Sequence, residues 1–145
     1  MRKKITVLFL CTGNSCRSQM AEGWAKALKH DKIEAYSAGI EKHGLNQKAV
    51  QVMAEAGVDI SHHKSKLTSE LPLHEFDYVV TVCDHAREHC PYSPAKTKIV
   101  HRCFDDPPQL AKNTKTEEEA LPHYRRVRDE IKKFVLSLPE YLLRS

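Results

Sequence analysis

The sequence predicts an α/β fold, a three-layer sandwich around a central, mostly four-stranded parallel sheet. Three observations predict it. Short continuous apolar runs, Ile5 to Leu10 foremost, have the unbroken hydrophobicity of strands covered on both faces. These runs alternate with segments whose apolar residues recur at helical spacing. Finally, Cys11, Cys83 and Asp106 each follow a predicted strand, at the carboxyl edge where open parallel sheets hold their ligands.

The elements follow in order. Ile5 to Leu10 is a buried strand that stops at Cys11. Met20, Trp24 and Leu28, with Ala21, Ala25 and Ala27 beside them, predict a helix from about Ser18 to His30. A short strand, Ile33 to Ala38, ends at Gly39. A second helix starts after Asn46, carries Ala49, Val50, Met53 and Ala54 inward and ends at Gly57. Asp77 to Val82 and Thr97 to His101 are further strands. The last long helix opens with the capping pattern Thr116-Glu-Glu-Glu119, is kinked or restarted by Pro122, and presents Tyr124, Val127, Ile131, Phe134, Val135 and Leu138 on one face. Lys112 to Thr116 reads as a loop, and no internal repeat or separate linker is visible.

The 145 residues form a single domain, 1–145, and the composition of 41% hydrophobic and 29% charged residues excludes disorder and a membrane protein. Arg2, Lys3 and Lys4 precede the first apolar run, but that run is too short for an export signal, so the expected compartment is the cytoplasm. Five cysteines, an odd number, argue for thiols that stay free or do chemistry in a reducing compartment. The net charge of +4 is spread along the chain and indicates no nucleic acid. Arg125, Arg126, Arg128, Lys132 and Lys133 interleave with Asp129 and Glu130, which reads as a solvated helix face.

Cys11-Thr-Gly-Asn-Ser-Cys-Arg-Ser18 sets a thiol and a guanidinium six positions apart around a glycine turn, just before a helix. Inward-pointing amides of Thr12, Gly13, Asn14, Ser15 and Cys16 and the helix dipole make a cradle for a tetrahedral anion, which Arg17 closes with a two-pronged donor. The same field favours the thiolate of Cys11, and the Ser18 hydroxyl is placed to donate to that sulfur. The bland reading is a phosphate-binding turn without chemistry. The side chain of Cys16 reads as a small filler with no catalytic role.

Cys83 and Cys90 lie seven positions apart. Were the interval helical, their backbones would stand about 10 Å apart, beyond the span of a disulfide, so a Cys83–Cys90 bridge requires the segment to unwind. That makes a credible redox switch. A structural pair, or a metal cluster of His85, His89, Cys90, His101 and Cys103, are the alternatives; the spacing matches no compact zinc pattern.

The segment from Cys11 to Trp24 resembles the active-site segment of thioredoxin-coupled arsenate reductases, which share the fold of low-molecular-weight tyrosine phosphatases. The resemblance continues through Tyr36-Ser-Ala-Gly-Ile40, His43-Gly44, Asp59-Ile-Ser61, Val79-Val-Thr-Val-Cys83, Phe104-Asp-Asp-Pro107 and Arg126-Val-Arg-Asp-Glu-Ile131. It implies arsenate as substrate, reduced thioredoxin as electron donor, no tightly bound cofactor, a monomer without nucleic-acid or membrane partners, and a role in arsenic detoxification. It also implies a relay in which Cys11 attacks arsenate, Cys83 attacks Cys11, and Cys90 attacks Cys83. Asp106, before Pro107, matches the general acid or base of the fold; whether it assists oxygen departure or activates Cys83 is open.

Asn14, Glu22 and Ser37 match positions that bind potassium in some relatives, but an additional aspartate is replaced here by Lys66, whose ammonium can take the cation's place. Weak or absent potassium dependence is the expectation. Arg102-Cys103 stands where close relatives often carry Trp-Gly, and Cys103 reads as a small buried residue. The rival function is a tyrosine phosphatase using Cys11, Arg17 and Asp106 alone. Pro108 and Gln109 replace the aromatic clamp such enzymes carry after Asp-Pro, which leaves a side activity on aryl phosphates. A non-enzymatic oxyanion sensor is the third class, for which the full set of reactive residues is surplus.

Overall fold

The computed structural model describes residues 4–94 and 96–144, so Arg2 and Lys3 of the basic start lie outside the described residues. Four parallel strands, β1 (Ile5–Cys11), β2 (Ile33–Gly39), β3 (Tyr78–Thr81) and β4 (Lys98–His101), form one sheet in the order β2-β1-β3-β4. Helices flank it: α1 (Arg17–Leu28), α2 (Gln47–Glu55), α3 (Asp84–Glu88), α4 (Pro107–Leu110), α5 (Glu117–Leu136) and α6 (Glu140–Arg144).

β1 lies inside the sheet, and its middle is apolar: Val7, Leu8, Phe9 and Leu10 have no exposed surface. The chain leaves it to one side for β2 and then crosses to the other side for β3. The reversal opens a crevice between the carboxyl ends of β1 and β3. Register decides what meets there. At the opposite end, the Thr6 amide donates to Asp77 Oδ2 and the Asp77 amide donates to Thr6 Oγ1, both at 2.8 Å. This reciprocal pair aligns Leu10 with Thr81, and the Val82 amide then reaches Leu10 O at 2.9 Å, so Cys83 emerges beside Cys11.

The predicted elements are present, with differences that have physical causes. Asn46 caps α2 by accepting from the Ala49 amide at 3.1 Å, but Val52 joins Ala49 and Met53 in the core while Ala54 is exposed. The helix face is rotated from the expected one because a small alanine yields its place to the larger valine. Thr116 Oγ1 accepts from the Glu119 amide at 3.2 Å, and α5 runs unbroken through Pro122. The amide that Pro122 lacks falls early in the helix, where Pro122 is exposed and water can satisfy the freed carbonyl. Arg125 forks onto Glu55 with two contacts of 2.9 Å and Arg128 donates to Val52 O at 2.9 Å, tying α5 to α2. Among the described residues, no helix is long and apolar enough to cross a membrane.

Candidate active site

The loop between β1 and α1 is turned inside out relative to an ordinary turn. Ile40, Glu41, His43 and Asn46 donate their amides to the carbonyls of Cys11, Thr12, Gly13 and Ser15, at 2.8–3.1 Å. Gln19 Nε2 takes the Asn14 carbonyl at 3.1 Å. In a trans peptide the following N–H points opposite to the carbonyl, so the amides from Thr12 to Cys16 face the inside. Ser65 Oγ donates a further bond to Gly13 O at 2.7 Å. The cradle expected from the sequence is therefore held open by segments 40–46 and 64–66.

Two loop positions carry the curvature. A side chain at Gly13 would place Cβ 2.3 Å from the His43 ring, so only glycine admits that close approach. Asn14 adopts φ 49°, a left-handed conformation asparagine tolerates, and its buried amide accepts from Lys66 N at 2.8 Å and Gln19 Nε2 at 3.0 Å. Asn14 Nδ2 donates to Ser18 Oγ at 2.9 Å. Ser18 accepts this bond and so helps to fix the loop, which leaves its hydroxyl proton free to be donated.

Arg17 closes a cavity of about 350 Å³ that Cys11, Gly13, Ser15, His43 and Asp106 also line. Its Nη1 donates to Phe104 O at 2.9 Å, which holds the guanidinium across the mouth. Asp106 Oδ1 lies 3.7 Å from Arg17 Nη2, whereas Asp105 turns away to Arg126 of α5 at 3.0 Å. Of the two aspartates, Asp106 alone faces the cavity. Burial works against the Arg17 charge, but Cys11 and Asp106 outweigh it and raise its pKa. Cys16 lines the cavity too, yet burial pushes its thiol far above the ordinary range, in keeping with an inert filler.

All five cysteines are free thiols. Cys11 and Cys83 leave the carboxyl ends of the paired strands β1 and β3, and the interaction between the two thiols raises the pKa of Cys11 and lowers that of Cys83. The Cys83 pKa is lowered to about 5, first by this interaction with Cys11, then by the Thr12 hydroxyl at 3.2 Å and the Ala86 amide at 3.4 Å. The Cys11 thiol is raised, by the interaction with Cys83 and by burial, although Arg17 and the Thr12 amide pull the other way. These donors favour the thiolate on Cys83, whereas the sequence directs attention to the thiolate of Cys11. The cause is that Cys83 is the N-cap of α3 and collects three donors.

α3 is only five residues long, with Cys83 at its start and Cys90 two residues past its end. It is held by Arg87 N to Cys83 O at 3.2 Å, His89 N to His85 O at 3.0 Å, Ala86 N to Cys83 Sγ at 3.4 Å, the contact of Asp84 with His101 at 3.2 Å, and a stack of the His85 and His89 rings at 4.3 Å. His85 Nε2 is buried without a hydrogen-bond partner among the described residues, its nearest carboxylate, Glu41, being 3.9 Å away. A helix of five residues has little stability of its own and depends on these contacts.

Of the potassium candidates Glu22 and Ser37 are bonded to each other while Asn14 accepts from the Lys66 amide, and the group does not fit a bound alkali cation. Ser37 Oγ donates to Glu22 Oε1, Lys26 Nζ reaches Glu22 Oε2, and Lys66 Nζ stands 4.0 Å from Glu22 Oε1 while donating to Lys64 O at 2.8 Å. Burial opposes the Glu22 charge, yet Lys26 and Ser37 hold its pKa low. Two ammonium groups already neutralise the carboxylate. Cys103 is exposed, contrary to the expectation of a buried filler, because the chain turns outward after β4.

Sequence reasoning missed His43, packed on Gly13, and the Thr12–Cys83 contact. The first had a signal in the tight glycine; the second joins residues 71 positions apart and had none.

The profile described as low molecular weight phosphotyrosine protein phosphatase matches residues 6–144. The chain is 54% identical over 131 residues to an arsenate reductase of Bacillus licheniformis, covering 90% of this chain and 91% of that one. Among solved structures it is similar to an arsenate reductase in the phosphate binding state, with TM-score 0.73, 30% identity and coverage of 94% and 96%. It is also similar to a low molecular weight protein tyrosine phosphatase from T. tengcongensis, with TM-score 0.74, 29% identity and coverage of 95% and 99%.

Proposed function

Because the chain belongs to the low-molecular-weight phosphotyrosine protein phosphatase family, and within it to the arsenate reductases, we propose that it reduces arsenate through a relay of Cys11, Cys83 and Cys90 regenerated by thioredoxin. The observation that carries this reading is the register of β1 and β3, which brings Cys83 out beside Cys11 at the anion cradle, where the Thr12 hydroxyl lies 3.2 Å from the Cys83 sulfur. A phosphatase needs one thiolate there; a relay needs a second sulfur within reach of the first.

In this reading arsenate enters the cradle and is held by the amides from Thr12 to Cys16 and by Arg17. Cys11 attacks arsenic, its proton passes to the departing oxygen, and that oxygen leaves as water with Asp106 relaying the proton. Asp106 faces the cavity and is absent from the groups that stabilise Cys83, which favours oxygen departure over activation of Cys83. The Cys83 thiolate then attacks the Cys11 sulfur. The electron pair of the sulfur–arsenic bond stays on arsenic, arsenite departs, and a Cys11–Cys83 disulfide remains. Cys90 attacks Cys83 once α3 unwinds, freeing Cys11, and the Cys83–Cys90 disulfide oxidises the thioredoxin dithiol. The balance is one arsenate and one dithiol consumed, one arsenite, one water and one disulfide formed. The enzyme acts as a cytoplasmic monomer in arsenic detoxification and retains a slow activity on aryl phosphates, since the first step needs only Cys11, Arg17 and Asp106.

Arsenate-dependent NADPH oxidation with thioredoxin and thioredoxin reductase tests the reading. The protein turns over, and Cys11→Ser, Cys83→Ser and Cys90→Ser each stall. A silent wild type that hydrolyses aryl phosphate through Cys11 alone overturns it.

A further inference from the structure

Asp84, His101 and Cys103 meet beside the relay without belonging to it. One donor atom from each, a carboxylate oxygen, an imidazole nitrogen and a thiol sulfur, lies within 4.8 Å of the other two. His101 Nδ1 is bonded to Thr81 Oγ1 at 2.8 Å, which orients the ring and directs Nε2 at Asp84 Oδ1, 3.2 Å away. A metal-binding histidine is steadied in this way by a partner on its other nitrogen. Arg102, the neighbour most able to fill the gap with its own cation, is occupied elsewhere. It stacks on Phe104 at 4.5 Å from the ring centre, and its Nη1 donates to Cys103 O at 2.7 Å.

We propose that Asp84, His101 and Cys103 bind zinc, and that the ion clamps the start of α3 to the end of β4 so that Cys83 and Cys90 cannot pair. The mixed sulfur, nitrogen and oxygen donors suit a borderline-soft divalent ion over magnesium or calcium, and three protein ligands leave a fourth position for water. Tetrahedral zinc with bonds of about 2.0–2.3 Å sets its donors about 3.3–3.8 Å apart. The exposed side chains of Asp84 and Cys103 have the freedom to close from their present spacing. Binding displaces the Cys103 thiol proton and oxidises nothing. Asp84 directly follows Cys83 and is the first residue of α3, so tethering it to His101 and Cys103 opposes the unwinding that a Cys83–Cys90 bridge requires. The clamp rests on the relay reading; the binding site does not.

Cobalt, whose thiolate complexes absorb in the near ultraviolet, is the probe for the site. In a Cys11→Ser/Cys83→Ser/Cys90→Ser variant, verified as folded by far-ultraviolet ellipticity, one equivalent of cobalt gives a thiolate charge-transfer band that zinc abolishes. Adding Cys103→Ser or His101→Gln removes the band. No band, or one that survives both changes, overturns the site. For the clamp, formation of the Cys83–Cys90 disulfide is followed after a single turnover in the protein with all its cysteines. At free zinc about ten times its dissociation constant, the rate falls about tenfold. Cys103→Ser keeps its metal-free rate and loses the zinc effect. Zinc inhibition undiminished in Cys103→Ser means capture by the relay thiols themselves and overturns the clamp while the cobalt result stands separately.

Discussion

Thr12 Oγ1 stands 3.2 Å from Cys83 Sγ, so the first residue of the anion loop also stabilises the second sulfur of the relay. The contact couples the two halves of the site. With a pKa lowered to about 5, Cys83 is a thiolate at neutral pH and stays one until pH falls through that value. Alkylation of Cys83 in a Cys90→Ser background is therefore expected to be flat above about pH 6 and to decline below it. Thr12→Val removes a donor to a charged acceptor and raises the midpoint by about one pH unit. An unshifted midpoint shows that the Ala86 amide and Cys11 suffice without Thr12.

Arg17 and its neighbours lead to a second expectation. Arg17→Lys keeps the charge but loses the fork that spans Phe104 O and the cavity. Steady-state assays should show arsenate turnover lower by about 100-fold, with the loss in both kcat and KM. A variant within a few fold of wild type argues that the loop amides alone hold the oxyanion.

The adjacent aspartates separate cleanly. Asp105 is ion-paired on the surface with Arg126, and Asp106 lines the cavity. Asp105→Asn should cost under about 1 kcal/mol of stability and leave turnover intact. Asp106→Asn should lower the first step by about 100-fold, read as release of arsenite in a single turnover, while Cys83 alkylation is unchanged. Equal effects from the two substitutions refute the assignment.

These contrasts also mark what the sequence holds. The parallel sheet, α1, α2 and α5 are legible because each rests on a long apolar period or run, and the Cys11 to Ser18 loop is legible because strand, glycine, arginine and helix follow in immediate succession. α3 is not, since five residues contain no full hydrophobic period and its start is a sulfur that caps. α4 left a local trace, Pro107 at the first helical position after Asp106, which reads equally well as a turn. The lowered pKa of Cys83 is a tertiary property. It depends on strand order placing β3 next to β1, and on the Thr6–Asp77 exchange that sets the register.

Gly13 is the position where backbone and ring compete for the same space. Gly13→Ala forces a Cβ to within 2.3 Å of the His43 ring, which must move off the cavity wall. A loss of about 1–3 kcal/mol in urea unfolding is expected, along with weaker oxyanion binding. His43→Ala in the same chain removes the ring but leaves a Cβ 2.8 Å away and recovers part of the stability, whereas His43→Gly removes every clashing atom and recovers more. If stability does not return, the strain lies in the loop backbone and not in the ring contact.

Lys66 decides the response to potassium. Its ammonium and that of Lys26 surround Glu22, and burial lowers the Lys66 pKa against the pull of that carboxylate. A monovalent cation entering beside Asn14, Glu22 and Ser37 would meet two positive charges and be itself the third, so thermal stability and turnover should be the same in potassium and sodium at equal ionic strength. Lys66→Asp reverses the local charge by two and leaves Glu22 with only Lys26 opposite two carboxylates. That variant should be less stable in sodium and recover in potassium, with Tm rising with potassium concentration as mass action requires. Lys66→Ala, which removes the ammonium without adding a ligand, should show the loss with little recovery. If the wild type itself is activated by potassium over sodium, the ammonium does not occupy the cation's place and this account of Lys66 fails.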